Sequence, residues 1–176
     1  MIKRNEIKSL ISEDKIQTAI KKLAQTLNDI YKDEEVYLIC VLKGSVMFMA
    51  DLAKHLTMPV KMEFIRLSSY GSGTVSSGKV NVVDISLPDL NGKNVLIIED
   101  IIDTGNTAKF LVDFLNQNFK IKDLKFCALL DKKIKRIADI EADYYCFEID
   151  DKFVVGYGLD NDGYYRNLPF IGYIEV

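Results

Sequence analysis

Hydrophobic residues at Ile16, Ile20, Leu23, Leu27 and Ile30 recur with a 4-3-4-3 spacing. That spacing predicts one apolar stripe along a helix of about five turns. Ser12 followed by Glu13 and Asp14 reads as its N-cap with acids in the first turn. Val36–Leu42 is a continuous apolar run, the pattern of a strand buried on both faces. Lys43-Gly44-Ser45 interrupts it, and 46–56 then reads as a helix with Phe48, Met49, Leu52, Ala53 and Leu56 inward. Residues 60–67 alternate as a strand, whereas 68–79 is rich in Ser and Gly and predicts a long, mobile loop. Strand character resumes at 80–87, and Asn91-Gly92 marks a turn. A second buried strand follows at 95–98, then a helix ending near Asn118 with Phe110, Leu111, Phe114 and Leu115 inward. Residues 126–130, 144–149 and 153–157 read as further strands. The strand-helix-strand alternation over 36–130 predicts an α/β fold with a central parallel sheet flanked by helices. The tail after 144 reads as an appended hood or edge.

Composition supports a folded domain. Of the 176 residues, 48% are hydrophobic and 28% charged, with only 3 Pro and 10 Gly, which excludes a disordered or collagen-like chain. The net charge of −3 lacks the basic excess expected of a protein that neutralises nucleic-acid phosphates. His55 is the single histidine, so a multi-histidine metal site is excluded, and it reads as a surface or helix-end residue. Cys40, Cys127 and Cys146 are far apart in hydrophobic stretches, which reads as buried free thiols in a reducing compartment. No apolar run approaches ~18 residues, and residues 1–6 carry no apolar signal core. The expectation is a soluble cytoplasmic protein with no membrane association.

The richest chemistry lies in 95–107, where Glu99, Asp100 and Asp103 stand with Thr104, Gly105, Asn106 and Thr107 between a buried strand and a helix. Ligands of open α/β sheets bind at the carboxyl ends of strands. The turn over 103–107 can offer backbone N–H groups and hydroxyls at a helix N-terminus, which suits a phosphate. Glu99 and Asp100 suit hydroxyls or hydrated Mg²⁺. Together they fit a ligand with both a phosphate and a polyol. A plain acidic helix cap explains the segment less well, because it does not need three mutually repelling carboxylates. The stretch from Gly73 to Val80 nearly matches the phosphate-loop pattern of nucleotide triphosphatases. Val80 fails its last position, and a strand-like run follows where a helix is required.

The 95–107 segment resembles the phosphoribosyl-diphosphate signature of type I phosphoribosyltransferases. Leu42-Lys43-Gly44-Ser45, the run 66–70 ending in Ser69-Tyr70, and the tail 151–169 resemble one branch, the hypoxanthine (hypoxanthine-guanine) phosphoribosyltransferases of bacterial type. The resemblance covers nearly the whole chain. It implies a parallel sheet with a small hood formed by the N- and C-terminal segments, about 144–176 contributing to base binding, in one domain spanning 1–176. It implies Mg²⁺-dependent purine salvage: hypoxanthine or guanine joins 5-phosphoribosyl-1-diphosphate, giving IMP or GMP and diphosphate. A homodimer or homotetramer is implied.

By the same resemblance, Asp103 acts as general base or acid near the purine N7, and Asp103, Thr104, Gly105, Asn106 and Thr107 cradle the 5′-phosphate. Glu99 and Asp100 serve the ribose hydroxyls and the metal, and Asp160 a second Mg²⁺. Lys43, Gly44 and Arg166 meet the diphosphate, and the Leu42–Lys43 peptide is one often found cis. Lys132 reads the 6-oxo group. Phe153 and Ile102 pack on the two faces of the base, Val154 pairs with it through its backbone, and Asp160 lies beside them. Ser69 and Tyr70 belong to the mobile lid over 68–79. Asn106 stands where many relatives carry lysine. Read without the resemblance, Phe153 is a core residue, Lys132 a solvated charge, Lys43-Gly44-Ser45 an ordinary strand-to-helix turn and Asp160 a turn aspartate. Two rival readings keep the fold: transfer to another base such as xanthine or a pyrimidine, or a non-catalytic regulator that binds the same ligands.

Overall fold

The computed structural model of the chain describes residues 7–69 and 80–174. Helix α1, Glu13–Tyr31, buries Ile16, Ile20, Leu23, Ala24, Leu27 and Tyr31. Ile30 stays 48% exposed because Tyr31, four residues after Leu27, takes the inward place. Ser12 occupies the N-cap in extended conformation, but its side chain makes no capping hydrogen bond.

The main sheet contains β2 (Val36–Leu42), β3 (Val60–Ser69), β4 (Val80–Ile85), β5 (Asn94–Ile102), β6 (Asp123–Asp131) and β7 (Tyr144–Glu148), with β1 (Lys8–Ile11) elsewhere. Its order is β4-β3-β2-β5-β6-β7. Five strands from β3 to β7 run parallel, and β4 adds an antiparallel edge. The two central strands are apolar on both faces because both faces are covered. Leu38, Cys40, Leu96 and Ile98 join the core beneath α1 and α2 (Val46–Ala53), whereas Ile39, Val41, Val95 and Ile97 join the core beneath α3 (Asn106–Asn118). Helix α2 is shorter than expected. Beyond it the amides of His55 and Leu56 bond to the carbonyls of Leu52 and Ala53, and Asn28 of α1 holds the carbonyl of His55 and the amide of Thr57.

A second sheet, β1-β9-β8, joins the two ends of the chain, with β8 at Phe153–Val155 and β9 at Ile171–Ile174. Both of its pairings are antiparallel. Neither β1 nor β9 was legible as a strand, since each is four residues long and shows no alternation. The segment assigned to the hood divides: Tyr144–Glu148 pairs in parallel with β6 as the main sheet's edge, and the small sheet begins only at Phe153. The expected loop at 68–79 also starts later, because Ser68 and Ser69 still pair with Asn81 and Val80. The remainder of that loop, with Tyr70 and the near-match at Gly73 to Lys79, lies outside the described residues. A strand, β4, does follow at Val80.

The strand order reverses between β2 and β5. The chain leaves β2 through α2 to reach β3 on one side, and leaves β5 through α3 to reach β6 on the other. Such a switch point opens a crevice at the carboxyl ends of the two strands. Lys43 and Gly44 follow one strand there, and Glu99 to Thr107 ends the other.

Candidate active site

Strand β5 runs further than its apolar residues. It continues through Glu99 and Asp100 to Ile102, in register with Ala128 to Asp131 of β6. The two acids therefore stand on the strand end, not in a loop. Glu99 Oε2 is sealed from solvent and accepts no hydrogen bond among the described residues. Burial, with the adjacent Asp100 charge adding to it, pushes the Glu99 carboxyl well above the usual range. Burial also pushes Asp100 up, to about 6. The Ile101 amide, which donates to Asp100 Oδ1 at 2.8 Å, and the more distant Arg166 hold it from rising further.

Three segments meet at Asp100 with no side chain between them. A Cβ on Gly44 would fall 1.5 Å from Asp100 Oδ2, and a Cβ on Gly158 would fall 1.9 Å from the Gly44 carbonyl oxygen. Glycine is required at both positions by the closeness of the chains. The Leu42–Lys43 peptide is cis. Arg166 Nη1 donates to the Gly158 carbonyl at 2.6 Å, and Arg166 Nη2 pairs with Asp160 Oδ1 at 2.6 Å. Asp160 Oδ2 accepts the Gly163 amide at 2.7 Å. Lys43, Gly44, Asp100, Asp160 and Arg166 thus line one open cavity of about 220 Å³, although 123 positions separate Lys43 from Arg166.

Glu99 and Thr107 also line a neighbouring cleft of about 80 Å³, with Asp103, Thr104 and Gly105 on its rim. Gly105, at φ +82°, is the N-cap of α3. The N-cap residue itself supplies no side-chain hydrogen bond, so the first-turn N–H groups beyond Asn106 stay available to an anion. Asn106 is the first helical residue, and its amide lies 3.5 Å from Thr104 Oγ1.

Asp103 connects this turn to the hood. Its Oδ1 is sealed and unbonded among the described residues, and its Oδ2 lies 3.9 Å from Lys132 Nζ. Lys132 is 6% exposed and is no solvated charge. It donates to the Lys152 carbonyl at 2.9 Å and lies 3.6 Å from Asp151. The next residue, Phe153, is 47% exposed while Val154 and Val155 are buried. A core phenylalanine would turn inward, and this one does not. Ile101 and Ile102 both line the small cleft, from different depths. Ile102 is 2% exposed and packs in the core beneath α3, whereas half-buried Ile101 keeps the free surface.

Sequence reasoning missed Asp131, Arg136 and Asp151. All fall in or beside short charged runs, and only their tertiary partners set them apart. Among the described residues no group of three or more His, Cys, Asp or Glu is arranged to hold a metal. No helix among them is long and apolar enough to cross a membrane.

Comparison with known proteins gives a consistent result. The phosphoribosyl transferase domain model matches residues 7–162. The hypoxanthine-guanine phosphoribosyltransferase of Bacillus subtilis is 47% identical over 99% of this chain and 97% of its own. A crystal structure of a hypoxanthine-guanine phosphoribosyltransferase from Bacillus anthracis superposes with a TM-score of 0.89 at 46% identity, covering 95% of this chain and 98% of that one. A hypoxanthine phosphoribosyltransferase from Staphylococcus aureus superposes with a TM-score of 0.92 at 41% identity, covering 97% and 93%. A switch-point crevice, a helix start whose N-cap residue supplies no side-chain bond and full-length similarity of this degree lead to one conclusion: the chain belongs to the phosphoribosyl transferase family.

Proposed function

We propose that the protein transfers the 5-phosphoribosyl group of 5-phosphoribosyl-1-diphosphate to hypoxanthine, and to guanine, releasing diphosphate and forming IMP or GMP. The observation that carries this reading is buried Lys132. Its ammonium sits between the Asp103 carboxylate and the backbone leading to exposed Phe153. A 6-oxopurine needs a donor at its carbonyl, an aromatic face and an acid-base group at one ring edge, and this corner offers all three. The relatives named above support the choice of base.

In this reading the 103–107 turn and the start of α3 bind the 5′-phosphate, and Ile101 takes the face of the base opposite Phe153. Val154 meets the base through its backbone. Asp103 accepts the proton that the purine loses as its bond to ribose forms. Glu99 and Asp100 orient the ribose hydroxyls. Lys43 and Arg166 neutralise the departing diphosphate, whose charge grows as the ribosyl carbon becomes cationic.

Mg²⁺ fits the same strand end. Glu99 Oε2 is an orphaned buried oxygen, and Asp100 lies beside it, a hard-oxygen set suited to a cation that keeps waters and substrate phosphates as its other ligands. Both oxygens of Asp160 are already engaged, so it serves a cation only by sharing. When bound, Mg²⁺ supplies charge neutralisation at the diphosphate. The free thiols of Cys40, Cys127 and Cys146 fit a cytoplasmic setting.

Four outcomes test this reading. Asp103→Asn keeps the shape of the group but not its basicity, and it lowers kcat by about 10²–10⁴-fold while IMP binding persists; wild-type turnover in that variant would remove Asp103 from the chemistry. Lys132→Gln presents an amide that both donates and accepts. The ratio of kcat/KM for hypoxanthine over adenine falls in this variant, and an unchanged ratio contradicts the base-reading role.

The third outcome concerns pH. Asp100 ionises near 6 in the folded protein against an ordinary 3.8, so between these values the native state binds more protons than the unfolded one. Stability of the ligand-free protein therefore falls as pH rises through this window, and the penalty is fully present above about 6. Asp100→Asn, whose amide oxygen still accepts from Ile101, should gain on the order of 1–3 kcal/mol at pH 7.5 in urea unfolding, and the gain should shrink as pH falls and vanish below about pH 3. A pH-independent difference would refute the burial penalty. Finally, exposed Met47, Met62 and Phe64 on α2 and β3 support self-association as a homodimer or homotetramer, and sedimentation equilibrium giving a monomer at assay concentration would refute it.

A further inference from the structure

We infer that Arg136, braced by buried Asp131, is a positioning residue that aims the backbone N–H groups of the 103–105 turn into the cleft beside α3. Its Nε donates to the Asp103 carbonyl at 3.0 Å, its Nη1 to the Ile140 carbonyl at 2.6 Å, and its Nη2 pairs with Asp131. All three guanidinium nitrogens are therefore committed to protein acceptors. The side chain is 9% exposed and that of Asp131 0%, so Arg136 is not free to act as a ligand itself. The backbone just after it completes the brace: the amides of Ile137 and Ala138 both donate to the Thr104 carbonyl, at 2.9 and 3.0 Å.

In a trans peptide the carbonyl and the following N–H point in opposite directions. Tying the Asp103 carbonyl to Arg136 turns the Thr104 N–H away from Arg136. Tying the Thr104 carbonyl to Ile137 and Ala138 does the same to the Gly105 N–H. Both donors are thereby turned to the side away from the brace. Thr104 and Gly105 line the small cleft on the rim of which Asp103 also stands. A turn released from this brace could flip either peptide and set a carbonyl oxygen against an anion. Gly105 packs directly on the brace, since a Cβ there would fall 2.7 Å from Arg136 Cδ. Lysine cannot replace this arginine, because a single ammonium on a flexible stem does not reach three acceptors in one plane.

The inference rests on the reading of this turn as the 5′-phosphate site, and its test separates the two. Calorimetric titration with IMP and with inosine compares wild type and Arg136→Lys. Wild type should prefer IMP, and Arg136→Lys should lose about 10–100-fold in IMP affinity with inosine unchanged. In steady state the KM for 5-phosphoribosyl-1-diphosphate should rise and that for hypoxanthine should not. Equal losses for IMP and inosine, or no loss, overturn the positioning role while leaving the phosphate reading intact. Wild type binding both ligands equally overturns the phosphate reading, and this inference with it. Circular dichroism and thermal melts establish that the variant is folded. If Arg136→Lys does not fold, Asp131→Asn, which retains Arg136 and an acceptor oxygen, should show the same selective loss in smaller degree. Failure of both to fold makes the pair a brace of the fold alone and overturns the inference.

Discussion

The crevice depends on two half-buried carboxylates held at the end of a strand that is bonded along both edges. Residues 95–98 of β5 are fully buried, and β2 and β6 bond to it on both edges. A slip of one residue would exchange the contents of the two cores, so the register is firmly set. Glu99 and Asp100 are carried into the crevice by that register whatever it costs them. Desolvation of both is the result, joined at Glu99 by the charge of Asp100, and it appears as raised proton affinities. A site in this state favours the arrival of cations and hydroxyl donors.

Around that fixed strand end, the rest of the molecule supplies groups from distant parts of the chain. The tail approaches closely enough for Gly158 to abut Gly44, and Arg166 reaches back to hold both Gly158 and Asp160. Its attachment is polar as well as apolar. Tyr157 Oη donates to Asp51 Oδ2 at 2.6 Å, and Gln17 of α1 donates to the same oxygen at 2.8 Å. The tail just after β8 is thereby tied to α2, and α2 through Asp51 to α1. The corner between the end of β6 and the start of β8 is braced independently by the ion pairs of Lys132 and Lys135 with Asp151.

Much of this architecture was legible along the chain because burial on both faces leaves a plain mark. The apolar runs of β2 and β5, the stripe of α1 and the alternation of strands and helices follow from local patterning, and they suffice for a parallel α/β sheet. The acidic segment at the end of β5 was legible for a different reason: such a density of like charge is unfavourable unless a ligand uses it. The pairing of the chain ends into β1-β9-β8 was not legible, because short strands draw their stability from partners more than 150 residues away. The tail after 144 read as a hood or an edge, and β7 proves to be the edge strand of the main sheet, a choice its local pattern left open.

Residue type and spacing alone determined that Glu99, Asp100, Asp103 and the 104–107 turn would share one strand-to-helix junction, since they are neighbours in the chain. Tertiary structure alone decided which way isolated side chains face. Phe153 turns outward beside two buried valines, Ile102 turns inward while Ile101 keeps its surface, and Lys132 is drawn out of solvent beside Asp103. It also decided that Arg136, one of several cations in a charged run, donates to the Asp103 carbonyl and pairs with buried Asp131. Local pattern reflects the average environment of a segment. The environment of a single side chain is set by whatever the fold brings opposite it, and no spacing along the chain encodes that.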